Sequence, residues 1–293
     1  MNTKISTVGG VMNFPVGVTV APDGTVYAID VMKPVIVKVA NGISTELCGS
    51  SAFVSPSYTG YGYVDGQGAT ARINNPTAIC SDNQGNVYLA DNGNFRIRKI
   101  TPQGNVTTVA GSGTSGLMDG FATSAQFKSM QGICIDSQGT IYVTDGNRIR
   151  KIANGTVTTV AGTFKTPKGI TTDVAGNIYV CDSGNLAIKK IAVDGTITVL
   201  STNCSMPNGI CIDANGNLYI SDGVENIVKK RTVDGLVTTW AGNGIGRYRD
   251  GICNPTRTGA SLYAPEQIAM DAIGNIAVAD RNSQVIRKIE IIL

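Results

Sequence analysis

Six aspartates recur at the ends of short apolar runs and form the most regular set of chemically active side chains in the sequence. They are Asp30, Asp91, Asp145, Asp182, Asp222 and Asp280. Six carboxylates around one axis could coordinate a hard cation such as Ca²⁺, which prefers oxygen ligands. An aspartate after a strand also accepts hydrogen bonds from backbone N–H groups of the turn that follows. Because a metal site rarely needs six equivalent carboxylates, we predict the turn role.

Tyrosine and arginine are concentrated in stretches of the sequence that lack a regular period. The candidate binding residues there are Tyr58, Tyr61, Tyr63, Arg72, Arg247, Tyr248, Arg249 and Arg257. Both residue types are enriched at recognition surfaces. The alternative is that these stretches fold back along a neighbouring sheet and bury apolar residues such as Ala69 and Ile73. The tyrosines from Tyr58 to Tyr63 and the segment Arg247-Tyr248-Arg249 are the parts that packing explains least.

The chain contains 293 residues and no histidine, which removes several kinds of chemistry. A histidine general base and a histidine-ligated zinc site are excluded. The sequence contains no nucleophile elbow, P-loop or dinucleotide fingerprint. The net charge of +3 is near neutral for this length, so it predicts no strong electrostatic partner. We therefore predict a non-enzymatic protein and assign no catalytic residue.

The six aspartates lie on a repeated unit, together with a second set of tyrosines that precede them by three residues. Residues 75–111 represent this unit best. Four apolar runs are separated there by turn signals such as Asp82-Asn83-Gln84-Gly85 and Thr101-Pro102-Gln103-Gly104. None of the runs has a helical period, so we predict four antiparallel strands, a to d. The core Gly-x-x-Tyr-x-x-Asp of strand b occurs in six copies, the last of which has Ala277 in place of tyrosine.

The number and order of the repeats predict a closed ring. Strands a to c occur six times, but strand d follows only five of these copies. The missing strand d, at about Lys4 to Gly10, precedes the first copy and would complete the C-terminal blade. We predict one all-β domain over residues 1–293, a six-bladed β-propeller of four-stranded antiparallel blades. An open array would instead leave an exposed sheet edge.

The repeat resembles the NHL repeat. The resemblance lies in the order Pro-x-Gly-Ile-x-x-Asp-x-x-Gly-Asn-x-Tyr-Val-x-Asp, then Arg-Ile-Arg-Lys-Ile, then Val-Thr-Thr-Val-Ala-Gly, and copies two to five match best. The stretch from Tyr63 to Pro76 also resembles the linker of that family. One departure is Phe95, which stands where the family has histidine. The resemblance implies a six-bladed propeller but is poorly specific for function.

The resemblance implies a binding or structural scaffold, and an enzyme as the alternative. The partner is most simply a protein or a larger assembly, with RNA as the second option because some NHL domains bind it. The NHL-like amidating lyases and the related streptogramin lyases use histidine, which this chain lacks. Gluconolactonase-like propellers hold calcium in the central channel, and Glu266 is the nearest candidate ligand here, with Asn75 and Asn208 at comparable places. The alternative function is therefore a calcium-dependent hydrolase of the lactonase type, whereas the scaffold needs no cofactor.

Three of the connections from strand d to the next strand a are long. They run from Gly49 to Pro76, from Gly111 to Met130 and from Gly242 to Pro265. All three contain an Asp-Gly pair, namely Asp65-Gly66, Asp119-Gly120 and Asp250-Gly251. Function on a rigid scaffold is often located on such loops. We predict that the face with the b–c and d–a connections is the binding face.

The basic residues of strand c occur as pairs such as Arg98-Lys99 and Arg150-Lys151. A basic belt for nucleic acid is one interpretation. Because these residues lie within strands rather than at loop tips, we predict packing and charge pairing instead. The predicted partners are the strand a aspartates, which are Asp82, Asp136, Asp173, Asp213 and Asp271.

The sequence is less informative about the pairing of its seven cysteines and about the cellular compartment of the protein. Cys80, Cys134 and Cys211 share one position of strand a, which predicts a small buried slot. A disulfide between two of Cys48, Cys204 and Cys253 stays open as an alternative. Free thiols, no apolar leader and no apolar run of membrane-spanning length favour the cytoplasm. The 15% of charged residues, against roughly 25% in a typical chain, and the 36 glycines also fit secreted and virion-surface proteins.

Overall fold

The strand pattern of the sequence is present throughout the structure. The computed structural model describes residues 2–51, 53–54, 57–58, 61–160, 163–253 and 259–292. In these ranges the chain forms β-strands and four short 3-10 helices, without an α-helix. None of these helical turns has the length and apolar composition that a membrane crossing requires. The prediction of an all-β, six-bladed propeller is confirmed.

Strands are numbered in chain order, beginning with β1 (Asn2–Val8). Blade 1 comprises β2 (Pro15–Val20), β3 (Val26–Asp30), β4 (Val35–Ala40) and β5 (Ile43–Gly49). The first long connection contains β6 (Phe53–Val54), β7 (Ser57–Tyr58) and β8 (Gly66–Gln67). Blade 2 comprises β9 (Pro76–Ser81), β10 (Val87–Asp91), β11 (Arg96–Ile100) and β12 (Asn105–Ala110). Before blade 3 comes β13 (Gly120–Phe121), and the blade itself comprises β14 (Met130–Ile135), β15 (Ile141–Asp145), β16 (Arg148–Ala153) and β17 (Thr156–Val160).

The second half of the ring follows the same order. Blade 4 comprises β18 (Ile170–Thr172), β19 (Ile178–Asp182), β20 (Ala187–Ile191) and β21 (Ile197–Ser201). Blade 5 comprises β22 (Pro207–Ile212), β23 (Leu218–Asp222), β24 (Ile227–Arg231) and β25 (Val237–Ala241). The third long connection contains β26 (Arg249–Cys253) and β27 (Gly259–Ser261). Blade 6 comprises β28 (Pro265–Met270), β29 (Ile276–Asp280) and β30 (Val285–Ile292) together with β1. The 3-10 helices are Gly68–Thr70, Asn92–Asn94, Ser183–Asn185 and Arg281–Ser283.

The N-terminal strand closes the ring, as the repeat count predicts. Strand β1 pairs antiparallel with β30 along its whole length, from Asn2 opposite Ile292 to Val8 opposite Ile286. The strand ends two residues before the predicted boundary, because Gly9 adopts a left-handed conformation with a φ of 82°. The first and last strands therefore hold each other by main-chain hydrogen bonds, and the last sheet gains its outer strand from the start of the chain.

Three blades have more than the four predicted strands. Strand β8 pairs with β12, β13 pairs with β17, and β26 pairs with β1. Each added strand comes from a long d–a connection that folds back onto the outer edge of the blade that follows it. A bare edge exposes unpaired N–H and C=O groups, so covering it removes a site for unwanted pairing. The long connections are thus partly regular structure rather than free loops.

The cores lie between neighbouring sheets and explain the cysteine positions. Leu89 and Ile79 of blade 2 pack with Ile29 and Ile36 of blade 1, all of them fully buried. Cys80, Cys134 and Cys211 are buried at the same place in their blades. All seven cysteines are free thiols, including Cys48, Cys204 and Cys253. Burial raises the pKa of the Cys48 thiol to about 12.

The strand a aspartates organise the a–b turns. In blade 4, Asp173 Oδ1 accepts the N–H groups of Ala175 and Asn177, and Asp173 Oδ2 accepts the Tyr179 hydroxyl at 2.9 Å. Blades 2 and 5 repeat the aspartate–tyrosine bond. The predicted pairing of these aspartates with the basic residues of strand c is wrong, because the carboxylates are already used by their own turn.

Alkaline pH should unfold the protein through these tyrosines. Burial, and then the bond to Asp173, raises the pKa of Tyr179 to about 12. An ordinary tyrosine pKa is about 10, so this contribution to stability is complete below about pH 10 and is lost as the pH rises towards about 12. We expect the circular dichroism signal and the tyrosinate absorbance to change together in that range.

The Tyr179→Phe variant is the control for the alkaline transition. It cannot ionise, so the loss of melting temperature between pH 9 and pH 11 should be smaller than in the wild type, although its melting temperature at pH 7 is lower. If tyrosinate formed completely near pH 10 while the fold was retained, the burial argument would be wrong.

Candidate functional site

The six aspartates at the end of strand b are buried, and they bind turn residues rather than an axial cation. Asp91 Oδ1 accepts the N–H of Asn74 at 2.7 Å, and Asp91 Oδ2 accepts the Asn94 amide at 2.8 Å. The predicted turn role is only partly met, because the b–c turn supplies the Asn94 side-chain amide, whereas the backbone N–H donor comes from the d–a connection that precedes the blade. Burial is the largest influence on Asp91 and raises its pKa, while the bonds from Asn94, Asn74 and Arg98 oppose the rise.

A fully buried arginine joins each of these aspartates to a long connection in three blades. Arg98 Nη1 lies 2.7 Å from Asp91 Oδ2, and Arg98 Nη2 lies 2.6 Å from Asp65 Oδ1. The equivalent trios of blades 3 and 6 are Asp145–Arg150–Asp119 and Asp280–Arg287–Asp250. These guanidinium groups have no exposed surface, which argues against a basic belt for nucleic acid.

The two predicted binding tyrosines nearest these trios have internal contacts. The guanidinium groups of Arg96 and Arg98 lie 3.7 and 4.9 Å from the ring centre of Tyr63, whose hydroxyl meets Thr108 Oγ1 at 3.0 Å. In the same way Arg287 lies 4.9 Å from the Tyr248 ring. Both tyrosines therefore cover a buried arginine at the outer edge of a blade, as the packing alternative for the loops implies.

The other predicted binding residues are dispersed. Arg72 is half-buried and donates to the carbonyl oxygens of Ala69 and Ala71. Tyr61 is partly exposed, and its hydroxyl lies 3.5 Å from the Val31 carbonyl oxygen. The side chains of Arg247 and Arg249 are exposed. Arg257 lies outside the described residues, as does the side chain of Tyr58.

The structure brings together a different set of side chains at the mouth of the central channel. The second residue of strand a, counted from the proline or methionine that begins the segment, faces the same cavity in all six blades. These residues are Val16, Thr77, Gln131, Lys168, Asn208 and Glu266. We call this cavity of about 270 Å³ the cup. Sequence reasoning placed Glu266, Asn75 and Asn208 at the channel but missed the other members of the set, although this position differs in chemistry in every copy of a repeat that is otherwise regular.

Each charged group of the cup has a polar or charged partner inside the cup. Lys168 Nζ donates to Asn208 Oδ1 at 2.7 Å. Glu266 Oε1 lies 3.1 Å from Arg281 Nη1, and the Arg281 guanidinium lies 4.3 Å from the ring centre of Phe14. The Arg281 side chain stays 40% exposed and the Glu266 side chain 16%. A ligand in the cup would therefore meet two cations, one carboxylate and an aromatic face.

Gln267 closes the channel beneath the cup. Its side chain crosses from blade 6 to blade 2, where its amide oxygen accepts the Ile79 N–H at 3.1 Å and its amide nitrogen donates to the Ile79 carbonyl oxygen. The equivalent residues of the other blades are all small, namely Gly17, Ala78, Gly132, Gly169 and Gly209. A Cβ atom on Gly17 would lie 3.1 Å from the Gln267 amide oxygen, so the glycine of blade 1 leaves space for this side chain.

The residues proposed as calcium ligands do not fit that ion. Glu266 already pairs with Arg281, and the Asn208 amide oxygen already accepts Lys168. Glu266 Oε1 and Asn208 Oδ1 therefore each have a cationic group where Ca²⁺ would have to bind, whereas calcium sites gather six to eight oxygen ligands. Among the described residues no group of three or more His, Cys, Asp or Glu side chains is arranged to hold a metal.

Comparison with known sequences identifies the repeat. The family model of the NHL repeat matches residues 74–100. The chain is 37% identical over 91 residues to NHL repeat-containing protein 2 of Bos taurus, a match that covers 30% of this chain and 12% of that protein. The chain therefore contains an NHL repeat within a six-bladed β-propeller. It is also 31% identical over 137 residues to SUPPRESSOR OF QUENCHING 1, chloroplastic, of Arabidopsis thaliana, which covers 45% of this chain and 13% of that protein.

The chain thus matches only about an eighth of the length of these two relatives. Solved structures resemble the whole chain in fold. Virginiamycin B lyase from Staphylococcus aureus has a TM-score of 0.64 at 19% identity and covers 99% of this chain and 100% of that one. A gluconolactonase from Xanthomonas campestris has a TM-score of 0.70 at 14% identity, and the match covers 98% of this chain and 89% of that one. An auxiliary nutrient binding protein from Bacteroides thetaiotaomicron has a TM-score of 0.72 at 14% identity, and the match covers 99% of this chain and 76% of that one. Enzymes and binding proteins both share this fold.

The two carboxylates of one trio should contribute unequally to stability. Asp145 is fully buried, so Asp145→Asn leaves Arg150 without its inner partner, and removing one member of a buried ion pair costs roughly 3–5 kcal/mol. The Asp119 side chain is 43% exposed, so Asp119→Asn should cost roughly 1–3 kcal/mol through its lost hydrogen bonds. Urea unfolding of both variants measures the difference.

The matched control is Asp234→Asn, which changes an exposed turn residue. Surface changes of this kind usually stay within about 0.5 kcal/mol. Equal losses for Asp145→Asn and Asp234→Asn would contradict the assignment of the buried trio.

Proposed function

We propose that this NHL propeller is a non-enzymatic binding protein that recognises a partner protein, alone or in a larger assembly, with the face that bears the cup. The observation that supports the proposal most is the charge of the cup, where Lys168 and Arg281 outnumber the single carboxylate of Glu266. A net positive charge in a recess attracts an acidic side chain or a C-terminal carboxylate of a partner.

The size of the cup supports insertion of a side chain. Pockets for small organic ligands usually measure about 300–1,000 Å³. The cup measures about 270 Å³ and its floor is closed by Gln267. Phe14 supplies an apolar wall beside the Arg281 guanidinium. One acidic side chain with part of its main chain fills such a recess, and the surrounding face supplies the rest of the contact.

Catalysis has less support than binding. The residues that line the cup include one carboxylate, Glu266, and no serine, cysteine or tyrosine. General acid–base and nucleophilic catalysis usually need two cooperating groups, and Glu266 is already paired with Arg281. The likeness to a lyase and a gluconolactonase extends to the fold alone at 19% and 14% identity.

The exposed predicted residues extend the proposed contact surface. Tyr61 lies against Val31, which lines the cup, so this tyrosine is next to the recess. Arg247 and Arg249 are exposed on the third long connection. RNA as the partner has less support, because the strand c arginines are buried and paired with two carboxylates each.

Reversal of charge in the cup should abolish partner binding. The immobilised wild-type protein is used to retain partner proteins from a lysate of the source cells. We expect the amount of each retained protein to fall at least about 10-fold with Lys168→Glu, since a lost charge pair at an interface costs about 2 kcal/mol or more. Quantitative mass spectrometry of the retained proteins measures the change. The matched control, Lys4→Glu, reverses an exposed charge on strand β1 of blade 6 and should retain the same proteins.

Two outcomes would contradict the proposal. One is equal retention by the wild type, Lys168→Glu and Lys4→Glu. The other is retention that depends on Lys4 and not on Lys168, which would move the binding surface to the exposed side of blade 6.

Calcium should not stabilise the protein. A site with a dissociation constant one hundredth of the added Ca²⁺ would stabilise the fold by about 2.7 kcal/mol and raise the melting temperature by a few degrees. Because Glu266 and Asn208 are already paired with cations, we expect melting temperatures in EDTA and in millimolar Ca²⁺ to agree within about 1 °C. A rise of several degrees that disappears in Glu266→Gln would instead favour the hydrolase alternative.

A further inference from the structure

The outer edge of blade 4 is open, whereas the chain covers the edges of three other blades. Strand β21 pairs with β20 and ends its sheet, and the described residues add no strand beyond it. The side chains of Ile197 and Val199 on this strand are exposed, Val199 at 55%. An open edge with β-branched residues presents main-chain donors and acceptors to an incoming strand. Blades 2, 3 and 6 satisfy this need internally.

The three covered edges share one chemical pattern. In blade 3 the N–H and hydroxyl of Thr159 donate to Asp119 at 2.9 and 3.0 Å, and Arg150 pairs with the same carboxylate at 2.7 Å. The following residue, Gly120, lies opposite Val157. Blade 2 repeats the pattern with Asp65, Thr108 and Arg98, and blade 6 with Asp250, Thr7 and Arg287. An incoming strand is thus held by main-chain pairing and by one carboxylate on a basic residue of strand c.

Blade 4 has the basic residue of this pattern but not the acid of an incoming strand. Lys189 lies opposite Val199 in the register that sets Arg98 opposite Thr108, and a register shift precedes the pair in both blades. Lys189 Nζ pairs with Asp182 at 2.6 Å, its one carboxylate among the described residues. Its side chain is 16% exposed. Each of the equivalent cations of blades 2, 3, 5 and 6 has two carboxylates, and these cations are Arg98, Arg150, Lys229 and Arg287.

The other open edges lack this combination. In blade 5, Lys229 already pairs with Asp222 and Glu225 and donates to the Asn203 carbonyl oxygen. In blade 1 the equivalent pair is Val37 opposite Glu46, which would repel an acidic strand. Blade 4 alone therefore presents an open edge beside a cation with a single carboxylate partner in the described part of the chain.

We propose that the outer edge of blade 4 binds an extended acidic segment of another protein by strand addition. The carboxylate of that segment pairs with Lys189 Nζ and accepts the N–H of Val199. The next residue of the segment lies opposite Ile197, as Gly120 lies opposite Val157 in blade 3. Strand addition of this kind draws affinity from main-chain hydrogen bonds and specificity from alternate side chains. The cup lies at the other end of the sheet, on the innermost strands, so the two surfaces are separate.

The chain supplies its own probe for this edge. A fluorescent peptide with the sequence of residues 116–124, Gly-Leu-Met-Asp-Gly-Phe-Ala-Thr-Ser, contains the acidic strand that covers blade 3. We expect it to bind the full chain in a fluorescence anisotropy titration. The same peptide with asparagine in place of aspartate should bind at least about 10-fold more weakly, because a charge-assisted hydrogen bond is lost. This comparison leaves the protein unchanged, so it does not depend on a variant that folds.

Two matched proline variants locate the binding edge. Val199→Pro removes the outward N–H, a change that an edge strand tolerates, and should weaken peptide binding at least about 10-fold. Thr239→Pro makes the equivalent change on the open edge of blade 5 and should leave binding unchanged. Lys189→Met should remove the difference in affinity between the aspartate peptide and the asparagine peptide.

Three results would overturn the proposal. The first is the absence of binding at millimolar peptide. The second is equal affinity for the two peptides, or equal loss in Val199→Pro and Thr239→Pro. The third comes from sedimentation of the free protein: a dimer that becomes monomeric in Val199→Pro would mean that a second copy of the chain, rather than another protein, covers the edge.

Discussion

The buried guanidinium between two carboxylates is the interaction on which the outer part of the propeller depends. Arg98 is fully buried and bridges Asp91 of its own sheet to Asp65 of the connection that precedes the blade. It also donates to the carbonyl oxygens of Arg72 and Val64. A buried charge is tolerated only when it is paired and hydrogen-bonded, so this arginine requires the connection to fold back. Its Nε still lacks a partner among the described residues, as do those of Arg150 and Arg287.

The length of each connection and the identity of the strand c residue vary together. Arginine occurs in the three blades that follow long connections, where a planar group with five donors can reach two carboxylates and the main chain at once. Blades 4 and 5 follow short connections and have Lys189 and Lys229, which need fewer acceptors. Blade 1 has Val37, and Asp30 is satisfied there by main-chain N–H groups. The cation thus matches the acceptors that each connection supplies.

The sequence predicts the fold because the strands and tight turns are local. Alternation of apolar residues and the glycines of the a–b turns lie within a few positions of one another, and the surplus strand at the N-terminus follows from a count. The trios are harder to predict, since Arg98 and Asp65 are 33 residues apart and Asp91 lies on another strand. Composition predicts a recognition role for Tyr63 and Tyr248, but a tyrosine that covers a buried guanidinium gives the same composition signal as one that contacts a partner.

Departures from the repeat indicate function better than its regular features do. A residue kept in all six copies, such as the strand b aspartate, serves what every blade needs, which is a set of satisfied main-chain N–H groups, and in five of the six blades it also pairs with a cation. At the second position of strand a no two copies agree, although all six side chains face one cavity, so packing alone does not determine their chemistry. Gln267 is similarly unlike its five small equivalents, and it closes the channel instead of repeating them. In a ring of near-identical units, asymmetry at one place supports the proposal that a partner without the symmetry of the ring binds there.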